Sequence, residues 1–447
     1  MAAIKFGTDG VRGRAHDVIT TAHAFLIGRA AADVFGGTHA VIGRDTRESG
    51  PTFSAALAAG LAEGGVQALD LGVAPTPAVA YVARERASIG VVVSASHNPW
   101  QDNGIKLFAV DGSKLSDAEQ LAVETRLSEL SELSDATSPS TASPDHLVAD
   151  LEPIESEVGA WVASIRSSID VDLSGLKVVV DCANGAASYV VAPALADLGA
   201  EVVAIFNEPD GRNINEGCGS THPQVLAERV VSEQADLGLA LDGDADRLLA
   251  VDADGAVVDG DHLMAMLAID MAERGVLADS RLVVTVMSNL GLLQAMRRAN
   301  ITVEVTPVGD RNVLIALEEL DANFGGEQSG HLIFADHAGT GDGALSGIQL
   351  MALLKRSGRT LADLASSAMV SFPQVLQNVA VAEKMPDIAH KIADEITQVE
   401  SRLGDDGRVL VRASGTERVV RVMVEAADAD VAQAMCDELC EAVRACV

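Results

Sequence analysis

Leu241-Asp242-Gly243-Asp244-Ala245-Asp246-Arg247 places three carboxylates at alternate positions, separated only by Gly243 and Ala245. An apolar run, Asp236-Leu237-Gly238-Leu239-Ala240-Leu241, leads in, and Leu248-Leu249-Ala250-Val251 leads out. The acidic stretch therefore reads as a loop between two buried strands. Three negative charges this close repel, and folding them together unpaired is costly; a divalent cation with hard oxygen ligands removes the problem. An acidic surface turn is the plain alternative, but such turns seldom sit between apolar strands. An EF-hand fails on position, because Arg247 stands where the sharp-turn glycine belongs and Ala253 where the bidentate glutamate belongs. Three carboxylates underfill octahedral Mg²⁺, so the site needs a further oxygen, from water or from a phosphate.

Outward from this loop, one unit recurs three times. Strands are expected at 39–45, 67–71 and 88–93, with helices at 49–63 and 77–86; the third strand ends in Ser94-Ala95-Ser96-His97-Asn98-Pro99. The second unit has strands at 176–181 and 201–205 and helices at 187–198 and 222–234, and its third strand ends in the triple-Asp loop. The third has strands at 281–286 and 301–305 and helices at 291–300 and 312–320, and ends in Gly325-Gly326-Glu327-Gln328-Ser329-Gly330-His331. Apolar strands alternating with amphipathic helices mean α/β architecture with mixed, mainly parallel sheets. Each unit puts its most polar loop at the carboxyl end of its third strand, where ligands of open α/β sheets bind, so three such ends are expected to share a central cleft. A Ser-, Thr-, Asp- and Pro-rich stretch at 128–144 reads as a linker, and 355–371 as a helix leading into a different part. There, strands at 377–381, 408–412 and 419–425 and a helix at 429–443 describe a C-terminal α+β domain with an antiparallel sheet. The expected domains are 1–152, 153–255, 256–368 and 369–447.

Composition narrows the function. The 447 residues are 48 % hydrophobic but only 3 % aromatic, which gives a large aliphatic core, and the net charge is −33. That charge argues against nucleic acid and against an anionic membrane surface. Any phosphate site must then be built locally from arginines and backbone N–H groups. Five cysteines, with no Cys-x-x-Cys and no zinc spacing, read as reduced thiols of a cytoplasmic protein, Cys436 and Cys440 packing on one helix face. The N-terminus has no signal-peptide architecture, and no apolar run approaches the ~18 residues a membrane span needs.

The loops carry the chemistry. Without a Gly-x-Ser-x-Gly elbow, an acyl-transfer hydrolase is disfavoured, and the serine–histidine adjacency at 96–97 is taken as incidental. A serine hydroxyl carrying a phosphoryl group would supply the missing metal ligand, and spacing alone leaves Ser94 and Ser96 open. Lys106 stands where an ammonium could act as acid or base or steady a phosphate. Glu327 and Ser329, with His331, suit sugar hydroxyls. Arg412, Ser414, Gly415, Thr416 and Arg421 form an anion cradle. Arg44 and Arg47 end or follow a strand and are expected to face the same cleft. The Gly-rich turn Phe6-Gly7-Thr8-Asp9-Gly10-Val11-Arg12-Gly13-Arg14 offers two further guanidinium groups.

Taken together and in order, Gly7–Gly13, Gly43-Arg44-Asp45-Thr46-Arg47, Ser94–Pro99, Asp102–Lys106, Asp242–Arg247, Val308–Arg311, Gly325–His331 and Arg412–Glu417 resemble the α-D-phosphohexomutase family over nearly the whole chain. Gln328 and the N-terminal motif resemble its glucosamine branch rather than its glucose/mannose branch. Arg418 departs from the proline usual there. The resemblance implies Ser96, not Ser94, as phosphoserine, and one Mg²⁺ on Asp242, Asp244, Asp246 and the Ser96 phosphate. It implies Lys106, His331, Arg12 and Arg247 at the reacting groups and Glu327 and Ser329 on the sugar, with Arg44 among the substrate-binding residues. The cradle around Arg412 would hold the non-reacting phosphate. The implied reaction interconverts glucosamine 6-phosphate and glucosamine 1-phosphate through a 1,6-bisphosphate, feeding amino-sugar nucleotides and cell-wall precursors. Glucosamine or glucose 1,6-bisphosphate would prime the serine. A phosphoglucomutase or phosphomannomutase is the alternative within the family. Outside it stand a metal-dependent phosphatase, which would release phosphate steadily, and a non-catalytic sugar-phosphate binder, which needs no nucleophile. The expected partner is a hexosamine phosphate, with neither nucleic acid nor membrane; the oligomeric state, a homodimer included, is left open.

Overall fold

The computed structural model describes residues 6–7, 10–136, 151–414 and 418–446. The chain divides into two compact units, one of residues 1–286 and 301–365, the other of 287–300 and 366–447.

The larger unit holds three mixed sheets built on one plan. In the first, the strands run in the order Val11–Arg14, Asp102–Phe108, Ile89–Val93, His39–Arg44, Gln67–Val73, Glu152–Pro153. His39–Arg44 pairs in parallel with both Gln67–Val73 and Ile89–Val93, while Asp102–Phe108 returns antiparallel beside Ile89–Val93. Every residue of Ile89–Val93 is buried, as its unbroken apolar run requires of a central strand covered on both faces. In the second sheet Lys177–Asp181 lies parallel to Glu201–Ile205 and Leu237–Leu241, and Leu248–Asp252 returns antiparallel. In the third, Arg281–Thr285 is parallel to Thr302–Thr306 and Phe324–Gly326, and Leu332–Phe334 returns. Each sheet thus carries a parallel strand followed at once by an antiparallel one. The turns between them are 94–101, 242–247 and 327–331, the three polar loops expected to bear the chemistry.

Several local expectations are corrected. Residues 102–108, to which no element was assigned, form the antiparallel strand Asp102–Phe108, so Lys106 lies inside a sheet and is 2 % exposed. The expected linker at 128–144 is helical in its first part, because the helix Asp117–Ala136 runs into it; the remainder lies outside the described residues. The expected helix at 355–371 is two, Gly343–Ser357 and Leu361–Ala368, broken where Gly358 takes φ 64° and caps the first. The helix expected at 187–198 shortens to Val191–Ala196.

The smaller unit is an antiparallel sheet, Gln374–Ala380, Val419–Ala426, Gly407–Ala413, backed by the helix Ala429–Ala445. Cys436 and Cys440 are buried in its core with Val420, Val422 and Leu439, and all five cysteines are free thiols. The helix Leu290–Arg298 belongs to this unit. Leu290 N–H donates to the fully buried Glu425 at 2.9 Å, and Arg408 pairs with the same carboxylate at 3.0 Å.

Candidate active site

The first turn gives the two serines different surroundings. Ser94 Oγ donates to Asp45 Oδ2 at 2.6 Å and accepts the Ser96 N–H at 2.9 Å, so it is spent on holding the turn. Ser96 sits at φ 52°, a left-handed backbone costly for a residue with a side chain, and its Oγ donates to Asp242 Oδ2 at 2.6 Å. His97 Nδ1 lies 3.2 Å from the same Oγ, so the adjacency taken as incidental in the sequence is a contact. Burial, then the charges of Arg247 and Arg12, push the His97 imidazole down to about 4, which keeps it neutral near pH 7.

The second turn is the triple-Asp loop. Asp242, Asp244 and Asp246 are 1 %, 0 % and 3 % exposed, and each offers an oxygen within 4.8 Å of the others. Neighbouring elements hold the loop. Thr76 N–H donates to Asp244 O at 2.9 Å, Ala186 N–H to Gly243 O at 2.8 Å and Gly343 N–H to Ala245 O at 3.0 Å. Thr76 Oγ also donates to Asp244 Oδ2 at 2.6 Å, a role the sequence does not signal. Gly243 is required by close approach, since a Cβ there would stand 2.5 Å from the Ser96 carbonyl oxygen.

Lys106 Nζ, buried, reaches Asp244 Oδ2 at 2.8 Å and Asp246 Oδ2 at 3.1 Å. One ammonium does not neutralise three carboxylates. Burial, then Asp246 and Asp244, raise the Asp242 carboxyl well above the usual range. Burial also pushes Asp246 upward, but Lys106, His331 and Arg247 outweigh it and hold that carboxyl well below. Asp244 Oδ1 and Asp246 Oδ1 are buried with no hydrogen-bond partner. Orphaned carboxylate oxygens beside an overcharged cluster fit a divalent cation, and an all-oxygen donor set fits a hard one.

The third turn brings Glu327, Ser329 and His331. Gly330, at φ 89°, lets it pack on the triple-Asp loop's exit strand, since a Cβ there would stand 2.0 Å from Leu248 O. Leu248 N–H donates to Gly330 O at 2.9 Å. Glu327 Oε1 accepts from Gly309 N–H at 3.0 Å, and Ser329 Oγ is 3.5 Å from Glu327 Oε2. His331 Nδ1 is 3.7 Å from Asp246 Oδ1, and Gly341 N–H donates to Nε2 at 3.1 Å. Burial lowers the His331 imidazole, yet Asp246 and Asp310 outweigh burial and leave it raised.

Arg12, Asp246, Arg247, Asp310, Glu327 and His331 line one cleft of about 440 Å³ in the larger unit. Asp310, which also ion-pairs with Lys114, had no assigned role in the sequence. One arginine is corrected. Arg47 does not face the cleft; its side chain is completely buried beneath the Ser96 turn. Arg44 Nη1 is bound to Asp70 at 2.8 Å. In the smaller unit Arg412 and Arg421 are direct cross-strand partners, with Ser414 buried beside them. Burial and then the Arg421 charge lower the Arg412 pKa, as like charges directly opposite across two strands must. Gly415 and Thr416 lie outside the described residues. Arg418 Nη1 donates to Ala382 O at 3.4 Å.

Fold and site together define a phosphohexomutase. The chain belongs to the phosphoglucomutase/phosphomannomutase family, matching its alpha/beta/alpha domain I over residues 3–134, domain II over 160–255, domain III over 259–372 and C-terminal domain over 376–442. Within it, the chain is 51 % identical over 428 residues to the phosphoglucosamine mutase of Pelotomaculum thermopropionicum, covering 94 % of this chain and 95 % of that protein. It is 49 % identical over 450 residues to the phosphoglucosamine mutase of Rhodococcus erythropolis, covering 98 % of each. A crystal structure of a phosphoglucomutase/phosphomannomutase family protein from Burkholderia thailandensis superposes with a TM-score of 0.79 at 25 % identity, covering 98 % of this chain and 97 % of that one.

Proposed function

We propose that the protein is an isomerase that interconverts glucosamine 6-phosphate and glucosamine 1-phosphate by way of a phosphorylated Ser96. One observation carries the reading: Ser96 Oγ lies 2.6 Å from Asp242 Oδ2, at the edge of a buried triad whose other two members bind Lys106. The names of the relatives at about half identity support glucosamine over glucose or mannose. In this reading O1 of glucosamine 6-phosphate attacks the phosphoserine phosphorus as the bond to Ser96 Oγ breaks. The O1 proton leaves to a neighbouring base. The resulting 1,6-bisphosphate turns over and returns its 6-phosphoryl group to Ser96 Oγ, leaving glucosamine 1-phosphate.

Mg²⁺ held by Asp242, Asp244, Asp246 and a Ser96 phosphate oxygen would neutralise charge developing on the serine oxygen. Lys106 and His331 are our candidates for moving the proton. Arg12 and Arg247 would steady the transferring phosphoryl group, and Glu327 and Ser329 would orient the sugar hydroxyls. Arg412, Ser414, Gly415, Thr416 and Arg421 are proposed to grip the non-reacting phosphate, and the division at 152, 255 and 368 remains our proposal for the domains. Glucosamine or glucose 1,6-bisphosphate would serve as primer. No helix among the described residues is long and apolar enough to cross a membrane, and we place the protein in the cytoplasm.

The test is turnover on glucosamine, glucose and mannose 6-phosphates with the primed enzyme. The expected result is the highest kcat/KM on glucosamine 6-phosphate with no accumulating inorganic phosphate. Preference for glucose or mannose 6-phosphate would move the chain to the other branch, and steady phosphate release would make it a phosphatase.

A further inference from the structure

The groups that hold Ser96 by its backbone are as well defined as those that face its hydroxyl. Arg47 is fully buried, and a guanidinium tolerates that only if its N–H groups are matched. Here five donors meet five acceptors. Nε pairs with Asp45 Oδ2 at 2.8 Å. One terminal nitrogen donates to the carbonyls of Pro99 and Asp102, and the other to the carbonyls of Ser96 at 2.9 Å and Asn98 at 2.8 Å. The other side of Ser96 closes the circuit, since its N–H donates to Ser94 Oγ, which donates to the same Asp45 carboxylate. A second clamp comes from the neighbouring module. Asn215 Nδ2 donates to Ser96 O at 2.9 Å and Asn98 O at 3.0 Å, the amide orientation that places donors on both oxygens. Both flanking peptide groups of a serine held at φ 52° are therefore fixed by residues that do not touch its Oγ.

We propose that Arg47 and Asn215 are positioning residues for the phosphoryl-transfer nucleophile, and that Asn215 makes the pose of Ser96 depend on the seating of the second module against the first. The inference rests on the phosphoserine reading above. A lysine at 47 brings three donors in place of five and cannot span the four carbonyls. An alanine at 215 removes two donors and leaves Arg47 in place. The loop's backbone then loses its two bonds to the second module, while the Ser96 Oγ–Asp242 contact remains.

The test is single-turnover transfer. Wild type, Asn215→Ala, Asn215→Asp and Arg47→Lys are phosphorylated with glucose 1,6-bisphosphate and mixed with glucosamine 6-phosphate, and loss of the phosphoryl group is followed by intact mass. Misplacement of a reacting group by ~1 Å costs about 100-fold, so we expect about a 10-fold loss for Asn215→Ala and about 100-fold for Arg47→Lys and Asn215→Asp. KM should stay within about threefold, and the thermal shift on adding Mg²⁺ should be retained. Asn215→Ala and Asn215→Asp transferring at the wild-type rate would overturn the positioning role, as would variants that lose rate only together with the Mg²⁺ shift. Should Arg47→Lys fail to fold, the two Asn215 variants decide alone. A wild-type protein with no transferable phosphoryl group would overturn the mutase reading itself, a result distinct from either.

Discussion

Gly243→Ala puts the account under direct strain. The added Cβ would stand 2.5 Å from the Ser96 carbonyl oxygen, 2.9 Å from Asn215 Nδ2 and 2.9 Å from Ile214 Cδ1. Ordinary contact begins at 3.4 Å, so about 0.9 Å of separation must be found. The Ser96 carbonyl cannot yield it cheaply, because Arg47 and Asn215 both hold that oxygen at 2.9 Å. The metal loop must retreat instead, and Asp242 with it, away from Ser96 Oγ. A displacement near 1 Å costs about 100-fold in rate, or roughly 2.7 kcal/mol of activation free energy. Overpacking adds about 1–3 kcal/mol of destabilisation. The assay is steady-state kinetics on the primed enzyme, with urea midpoints measured in parallel. Gly159→Ala is the control. It lies in the helix Val158–Arg166 with open space at its Cβ position, and it should be silent in kcat and stabilising by about 0.5–1 kcal/mol. Wild-type kcat in Gly243→Ala would refute the claim that the Ser96 turn and the metal loop are in fixed contact.

Three further outcomes follow from the same geometry. Gly330→Ala, with a Cβ 2.0 Å from Leu248 O at φ 89°, should cost several-fold more stability than Gly243→Ala and abolish turnover, read by urea titration and activity. Asp342 accepts from Trp161 Nε1 and caps the helix Gly343–Ser357, and burial pushes it up to about 6 from an ordinary 3.8. A carboxyl raised in the fold favours folding below pH 4 and loses up to roughly 3 kcal/mol of that contribution as pH climbs to 6. Asp342→Asn should therefore be less stable than wild type at pH 4.5 and close the gap by pH 7.5; an unchanging difference would refute the assignment. Mg²⁺ at about 100 times its Kd should stabilise the wild type by about 2.7 kcal/mol, and Asp244→Asn should lose most of that thermal shift. No shift in the wild type would remove the triad as a metal site.

The strands were legible because unbroken apolar runs such as 237–241 and 89–93 can only be buried on both faces, and the three loops were legible because polar, Gly-rich residues interrupt those runs. The return strand Asp102–Phe108 was hidden, since Asp102, Asn103, Gly104 and Lys106 carry a loop's composition; Asn103 is buried against Ser49 of its own module, and Lys106 only because the second module supplies Asp244 and Asp246. The helix Thr21–Phe35 escaped for lack of a charged face, its first turn holding no acidic residue and its last no basic one. Arg47 was misread for a related reason. Guanidinium burial depends on four carbonyls 49 to 55 positions away, and no local pattern announces them. Thr76 and Asn215 touch the site through a module boundary, and neither has a neighbour in sequence that points there.

The central claim is that Ser96 carries and gives up a phosphoryl group. Intact mass of the purified protein, before and after glucosamine 6-phosphate, tests it most directly. The account predicts a species heavier by one phosphoryl group, mapped to Ser96 and lost as the bisphosphate forms. A Ser96 that stays unmodified after incubation with glucose 1,6-bisphosphate and Mg²⁺, or a Ser96→Ala protein that turns over normally, would contradict it.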